Sequence, residues 1–228
     1  DFYNFKRFYK GKMKLSPNFH DRYEESGISK SEYFWQDLLV AKWIYASSPE
    51  KHVDVGSRID GFVTHVASFR EIEVFDIRPI SSDIPGVIFR QADLMNTNSM
   101  SKFFLNKGYC DSLSCLHTIE HFGLGRYGDP INVNGYHIGL ENMAKLIRPK
   151  GIFYLSTPIG EERVEFNANW VFDPRNIIQL ASDNGLKLDT LTIFSNMDGV
   201  IDVDPNEINL KDLANQSYNL GIFKFIKS

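Results

Sequence analysis

Cysteine is scarce: Cys110 and Cys115 are the only two in the chain. That excludes a disulfide scaffold and points to thiols kept reduced in a cytoplasmic setting. No run of about eighteen apolar residues occurs, so no membrane-spanning helix is expected, and the first residues lack the apolar centre of a secretory signal. There is no excess of positive charge. Against 25 Lys and Arg stand 29 Asp and Glu, a formal net charge of −4, which speaks against nucleic acid as the main partner. No internal repeat and no low-complexity tract is present, and no Gly-Lys-Ser/Thr follows a glycine turn, which removes a P-loop. A chain of 228 residues, 43% of them apolar, can instead bury one substantial core.

What is present is organised around Lys51-His52-Val53-Asp54-Val55-Gly56-Ser57-Arg58-Ile59-Asp60-Gly61. A short β-prone run ends in a turn of small residues, and a helical pattern follows at once. Open α/β sheets form ligand pockets in this way, beyond the carboxyl end of the first strand. A second run, Ile72–Asp76, closes on a carboxylate about twenty residues further on, as ribose recognition requires.

Hydrophobic periodicity predicts strands near 52–55, 72–76, 87–91, 110–116, 152–156, 186–194 and 218–226, with helices near 60–69, 99–107, 136–148 and 174–184. Residues 77–86 are too rich in Pro, Ser and Gly for a crossover helix. Residues 196–216, which hold Asp198, Asp202, Asp204, Glu207 and Asp212, read as loop with one short helix. The expected fold class is α/β, Rossmann-like, a mostly parallel seven-stranded sheet whose last strand runs antiparallel. Residues 50–228 would form that domain, and residues 1–49 an appendage on it. The appendage opens with an irregular aromatic and basic arm carrying Lys6, Arg7, Lys10, Lys12 and Lys14, either a solvated face or a contact for an anionic substrate or membrane surface. It continues as a helix over 31–46, whose Tyr33, Phe34 and Gln36 either pack on the sheet or roof the ligand site.

The acids choose among nucleotide-like ligands. A dinucleotide lays its pyrophosphate on helix amides and wants several glycines there; Arg58 and Asp60 stand in their place. S-adenosylmethionine carries no phosphate and bears a cationic sulfonium, so an acidic rim suits it. Asp54 and Gly56 would meet its methionine end, Asp76 its ribose, and Asp93 with Leu94 its adenine. Each acid alone reads equally well as a cap or turn former. Three at the ends of three successive strands argue jointly for a site.

From about residue 50 to 226 the chain resembles class I S-adenosylmethionine-dependent methyltransferases. The resemblance implies S-adenosyl-L-methionine as cofactor and a contact set of Asp54, Gly56, Ser57, Asp76, Ile77, Asp93, Leu94 and Leu116. The segments Asp54-Val55-Gly56-Ser57-Arg58, Phe75-Asp76-Ile77-Arg78-Pro79, 111–117 and 120–130, with Phe166-Asn167 and Tyr33–Leu38, look more closely like a methyltransferase-like family catalogued as a domain of unknown function, DUF268. That family occurs in bacteria and nematodes, in bacteria sometimes among surface-polysaccharide genes. The resemblance therefore implies a saccharide or other small-molecule acceptor, O-methylation of a polysaccharide precursor, and peripheral association with polysaccharide-assembly machinery. A cofactor-binding protein without turnover, and an N- or C-methyltransferase of a small metabolite, stay open beside it.

Chemistry would fall to the loop after the fourth strand. Methyl transfer to a hydroxyl needs its proton removed, and an imidazole titrating near ~6.5 suits the task. His117 and His121 are both candidates; His117 reads also as a capping or core residue or a metal ligand, and His121 as part of the cofactor wall. Asp129 could orient sugar hydroxyls or cap the turn before Pro130. Arg126, Tyr127, Arg163 and Asn167 are candidate acceptor contacts. His117-x-x-Glu120-His121 resembles an inverted metalloprotease motif, but Gly123 and Gly125 cut short the helix it would need, which excludes a peptidase; a divalent ion shared by His121, Asp129 and the acceptor stays open, and no metal ligand is assigned.

Overall fold

The computed structural model describes residues 1–20, 22–24, 26, 29–104, 107–195 and 199–228. Helix α1, Phe2–Phe8, begins the chain where an irregular arm is expected, and it buries none of its residues. Helix α2, Glu32–Ser47, starts at Ser31, whose side chain accepts from the Tyr33 amide, and stops at Ser48 in the left-handed region just before Pro49. Strand β1, His52–Val55, then passes through the glycine turn into a wide helical turn over Ile59–Val63, kinked at Gly61, and helix α3, Thr64–Ala67.

Strands β2, Ile72–Asp76, and β3, Val87–Gln91, follow with no helix between them. A short helix, α4, Thr97–Met100, and a single further turn at Ser101–Phe103 stand near the helix expected over 99–107; residues 105–106 lie outside the described residues. Strand β4, Cys110–Leu116, leads through the 117–134 loop to helix α5, Gly135–Leu146. Strand β5, Ile147–Ile159, takes in the Arg148–Gly151 stretch that reads in sequence as a helix stop, bridging it with an irregularity in the β4 pairing. A small hairpin, β6 (Arg163–Glu165) and β7 (Asn169–Val171), precedes helix α6, Pro174–Asp183, which has Asp173 as cap and Pro174 in its first turn. Strands β8, Leu186–Ser195, and β9, Gly199–Val203, helix α7, Glu207–Ala214, and strand β10, Asn219–Lys227, complete the chain.

The main sheet has the order β3-β2-β1-β4-β5-β10-β8-β9. Strands β3 to β5 pair parallel, and β10 is inserted antiparallel between β5 and β8. This is the expected mostly parallel sheet, one strand wider. The eighth strand is β9, in a segment expected to loop. Its acids mislead a reading by composition, because an edge strand tolerates charge on its open side. Asp202 in fact accepts from the Thr192 hydroxyl on β8 at 2.6 Å. Residues 196–198 of that segment, Asp198 among them, lie outside the described residues.

Side chains that alternate along the strands separate into two cores, one on each face. Val53, Phe75, Leu113, Phe153, Phe223 and Phe225 pack against α5, α6 and α7. Val74, Tyr154, Leu220 and Ile222 face the other way, onto α2 and α3, where Val40, Ile44, Phe62 and Val66 are fully buried. The helix before the glycine turn thus covers one face of the sheet, with its first turn at the strands' carboxyl ends. No described helix is long and apolar enough to cross a membrane.

Candidate active site

The turn after β1 can take its path only because residue 56 is glycine. Its φ is +71°, and a Cβ there would stand 2.3 Å from Thr118 Cγ2. Asp54 secures the turn from behind. Fully buried, its carboxylate accepts from the Ser57 amide (3.0 Å), the Ser57 hydroxyl (2.7 Å) and the Ser114 hydroxyl on β4 (2.5 Å). Ser57 Oγ in turn accepts from the Leu116 amide at 3.3 Å, which ties the turn to the end of β4. Burial pushes the Asp54 pKa up to about 7, against the three hydrogen bonds that favour the carboxylate. Arg58 and Asp60, where a dinucleotide site would carry glycine, pair with each other at 2.8 Å and offset one another's charge.

Beyond the carboxyl ends of these strands lies a cavity of about 480 Å³, the size of a small-molecule site. Gly56, Ser57, Asp76, Ile77, Asp93, Leu94 and Leu116 all line it; Asp54 does not. At the β2 end, Asp76 accepts from the Arg78 amide (2.8 Å) and from its guanidinium (3.0 and 2.6 Å), while that guanidinium stacks 4.5 Å from the Tyr127 ring centre. Arg78 is therefore a cavity residue that sequence reasoning missed, although its place two residues after a strand-end acid is the available sign. At the β3 end, Asp93 accepts from the Met95 amide at 2.8 Å, and Asn142 on α5 donates to the Leu94 carbonyl at 2.8 Å, which fixes that wall.

The wall built by the loop after β4 and the start of α2 carries His117, His121, Glu120 and Glu32. His117, in the left-handed region at φ +51°, donates from Nδ1 to Glu120 at 2.7 Å. Its Nε2 stands 3.3 Å from a Glu32 oxygen, within ion-pair reach but outside hydrogen-bond geometry, so this buried nitrogen has no hydrogen-bond partner among the described residues. Tyr33 lies against the ring with centroids 4.6 Å apart. Burial would lower the His117 pKa, but the two carboxylates outweigh it and raise the value to about 9. Glu32, from the first turn of α2, also accepts from the Tyr218 hydroxyl at 2.9 Å. Glu120 has no exposed surface.

His121 is the opposite case. Its Nδ1 lies 2.7 Å from the Ala168 carbonyl. A carbonyl can only accept, so the proton is assigned to Nδ1 and the lone pair to Nε2, 3.9 Å from Glu120. Burial holds its pKa below the ordinary imidazole value, with the Arg126 and His117 charges adding to the effect, although Glu120 and the Ala168 bond pull the other way. One imidazole is thus held charged and the other neutral at neutral pH.

A consequence for stability follows from the raised His117 pKa. A raised folded-state pKa contributes stability that is present below the unfolded value near ~6.5 and is lost as pH rises through about 9. Denaturant titrations across that window should show the native protein losing roughly 3 kcal/mol more than His117→Gln. Parallel losses in the two proteins would refute the pairing.

The loop after β4 is gathered on Asp129, whose carboxylate accepts from the amides of Gly123 (3.0 Å), Gly125 (3.1 Å) and Tyr127 (3.1 Å). At Gly123 the φ is +79° and a Cβ would stand 1.9 Å from the Asn132 carbonyl oxygen, so the loop closes only on glycine. Asp129 lines the cavity yet has its oxygens committed to the loop, which makes it a positioning residue. Arg126 and Tyr127 line the cavity too, with Arg126 donating to the Ala168 carbonyl at 3.0 Å. Arg163 and Asn167 sit on the β6–β7 hairpin outside the cavity wall; Arg163 bonds Glu165 and the Ser217 carbonyl instead, and Asn169 is the asparagine that lines the cavity. Of the expected roof, Tyr33 and Gln36 face the cavity, and Phe34 turns out against Trp35. Glu32, Asp37, Thr118 and Tyr218 line it unforeseen, because no local pattern marks residues that only the tertiary fold brings together. Among the described residues no group of three His, Cys, Asp or Glu side chains is placed to hold a metal ion.

The family described as "Caenorhabditis protein of unknown function, DUF268" matches residues 89–219. Among solved structures the chain is similar to the 1,6-didemethyltoxoflavin-N1-methyltransferase of Burkholderia thailandensis with bound 1,6-didemethyltoxoflavin and S-adenosylhomocysteine, at 12% identity over 88% of this chain and 80% of that one, TM-score 0.56. It is also similar to the N-methyltransferase NodS of Bradyrhizobium japonicum WM9 in complex with S-adenosyl-L-homocysteine, at 10% identity over 86% and 87%, TM-score 0.54. Magnesium protoporphyrin IX methyltransferase (ChlM) of Synechocystis PCC 6803 with bound SAM stands at 14% identity over 91% and 89%, TM-score 0.55. No curated protein matches the chain. Identities this low establish a shared fold, the Rossmann-like one of class I methyltransferases, and leave the chemistry to the site.

Proposed function

The chain belongs to the family described as "Caenorhabditis protein of unknown function, DUF268", and from its site we propose that it is an S-adenosylmethionine-dependent methyltransferase acting on a hydroxyl of a small acceptor. The observation that carries this reading is a single cavity joining the ends of β1, β2 and β3 to a loop with one neutral and one charged imidazole. The residues present suit the cofactor. Gly56 leaves a cradle that a Cβ would fill, Asp76 offers carboxylate oxygens for ribose hydroxyls, and Asp93 with Leu94 offers an acceptor and an apolar edge for adenine. Neighbours of the same fold hold S-adenosylhomocysteine or SAM, which supports the assignment. Residues 50–228 would form the cofactor domain, with α2 supplying a wall of its site.

When bound, S-adenosylmethionine supplies an electrophilic methyl group on a sulfonium. The chain's part is to orient the acceptor and take its proton. His121 Nε2, the free lone pair of a neutral ring, accepts that proton. The buried Glu120 at 3.9 Å steadies the imidazolium that results. His117, held charged between Glu32 and Glu120, is a poor base and serves instead as a fixed cation beside the acceptor. Arg126 and Tyr127 flank the acceptor, and Asp129 holds their loop in place. A hydroxyl acceptor of sugar type, such as a polysaccharide precursor, suits this mixture of cations and hydrogen-bonding groups. An amine acceptor is the second reading, favoured by the two carboxylates on that wall, Glu32 and Glu120.

Calorimetry tests the cofactor. S-adenosylmethionine should bind and NAD should not, and Asp76→Ala should weaken binding by roughly 1.5–3 kcal/mol through lost charge-assisted bonds to ribose. No heat and an unchanged thermal midpoint with S-adenosylmethionine would sink the reading. Product formation across hydroxyl and amine acceptors, followed as S-adenosylhomocysteine, separates the two acceptor classes.

A further inference from the structure

Helix α1 and the residues after it make a surface the site does not use. Among residues 1–20 every side chain is exposed apart from the intermediate Phe2 and Met13. Tyr3, Phe5, Phe8, Leu15 and Phe19 are between 61% and 85% exposed. Large apolar side chains gathered in this way on a surface mark an interaction site. The same twenty residues hold Lys6, Arg7, Lys10, Lys12 and Lys14 against the single acid Asp1, in a chain whose net charge is −4.

The helical phase sorts these residues. At about 100° per residue, Phe2, Phe5 and Phe8 fall on one arc of α1, and Tyr9 caps its end. The Phe5 and Tyr9 rings touch along it, with centroids 5.6 Å apart. Lys6 and Arg7 fall on the complementary arc with Tyr3 between them, Lys6 Nζ lies 5.9 Å from the Phe2 ring at the boundary, and Lys10 follows beyond the end of the helix. A short helix with an aromatic face beside a cationic one, burying neither in its own protein, has the form of an interfacial anchor. Its rings enter the headgroup boundary while its cations meet anionic lipid phosphates. Single-stranded nucleic acid also attracts aromatics and cations, but it calls for the two interleaved along a groove, so that bases stack while phosphates are neutralised. Here three of the helix's four aromatics, Phe2, Phe5 and Phe8, share one face, and Tyr3 alone lies among the cations.

We infer that α1 and its basic continuation dock the protein on the surface of an anionic phospholipid bilayer. The inference is independent of the methyl-transfer reading. The test is co-sedimentation of the whole 228-residue protein with phosphatidylcholine vesicles, with and without phosphatidylglycerol. The protein should sediment with the anionic vesicles and be released by salt, since each lysine or arginine near such a surface contributes roughly fivefold to affinity. The pair Lys6→Gln and Lys10→Gln should lower affinity by more than about tenfold. The pair Phe5→Ser and Phe8→Ser should weaken binding at every salt concentration. All four positions are exposed, so the thermal midpoint should not move. Failure to sediment with anionic vesicles, equal binding to neutral ones, full binding by both double variants, or preference for single-stranded polyuridylate over the vesicles would each overturn the assignment.

Discussion

His121→Ala is expected to lower kcat by about 10²–10⁴-fold, the usual cost of losing a general base. Cofactor affinity should stay intact, because His121 makes no contact with Asp76 or Asp93 and meets Asp76 only through Tyr127 and Arg78. The pH profile makes the assignment specific. The His121 pKa lies below the ordinary imidazole value, with burial the largest cause, so native kcat should fall only at pH below ~6.5. Were His117 the base, activity would instead climb until its pKa of about 9 had been passed. An alkaline climb of that kind, or near-native kcat in a folded His121→Ala protein, would transfer the role or remove it.

Asp54→Ala should cost roughly 3–5 kcal/mol of stability. It leaves the Ser57 amide, the Ser57 hydroxyl and the Ser114 hydroxyl without their buried acceptor. Asp54→Asn keeps an acceptor and a similar volume, and should recover a good part of the loss. Urea denaturation of the three proteins measures both effects. An alanine variant with the native midpoint would mean that the turn is held by Gly56 and the β4 pairing alone. Weakened S-adenosylmethionine binding in the asparagine variant, at native stability, would give Asp54 a ligand role beyond that of support.

Asp54 also shows what a sequence can and cannot yield. Its position at a strand end is legible, and so are the positions of Asp76 and Asp93, because strands and turns are written in local pattern. Which way a carboxylate points depends on the neighbouring strand. Ser114, sixty residues away in sequence, draws Asp54 inward. Asp76 stays at the cavity wall, where Arg78 shares it. The two histidines were visible as a pair, but their division of labour was not. That division rests on Glu32 and Glu120 around one ring and the Ala168 carbonyl beside the other, and only assembly of the chain sets these partners. The β9 strand was hidden for a different reason, since five residues set among the acids of 196–216 carry too little alternation to outweigh the composition of that segment. The topology itself was largely legible, because the alternation of Phe223 and Phe225 with Ile222 states outright that the last strand is covered on both faces.

The place of β10 bears on how the protein is made. The strand that comes last in sequence is one of the sheet's interior strands, held on one side by β5 and on the other by β8. During synthesis, at ~5–20 residues per second, β5 and β8 are complete well before residues 219–227 emerge from the ribosome. Until then both strands present open edges to solvent, the kind of surface on which nascent chains associate wrongly and to which chaperones bind. The contact between Tyr218 and Glu32 spans 186 positions and closes only at that moment. A nascent chain halted short of β10 would carry the glycine turn and all three strand-end acids yet have an unfinished acceptor wall, so acceptor capture awaits the strand that closes the sheet.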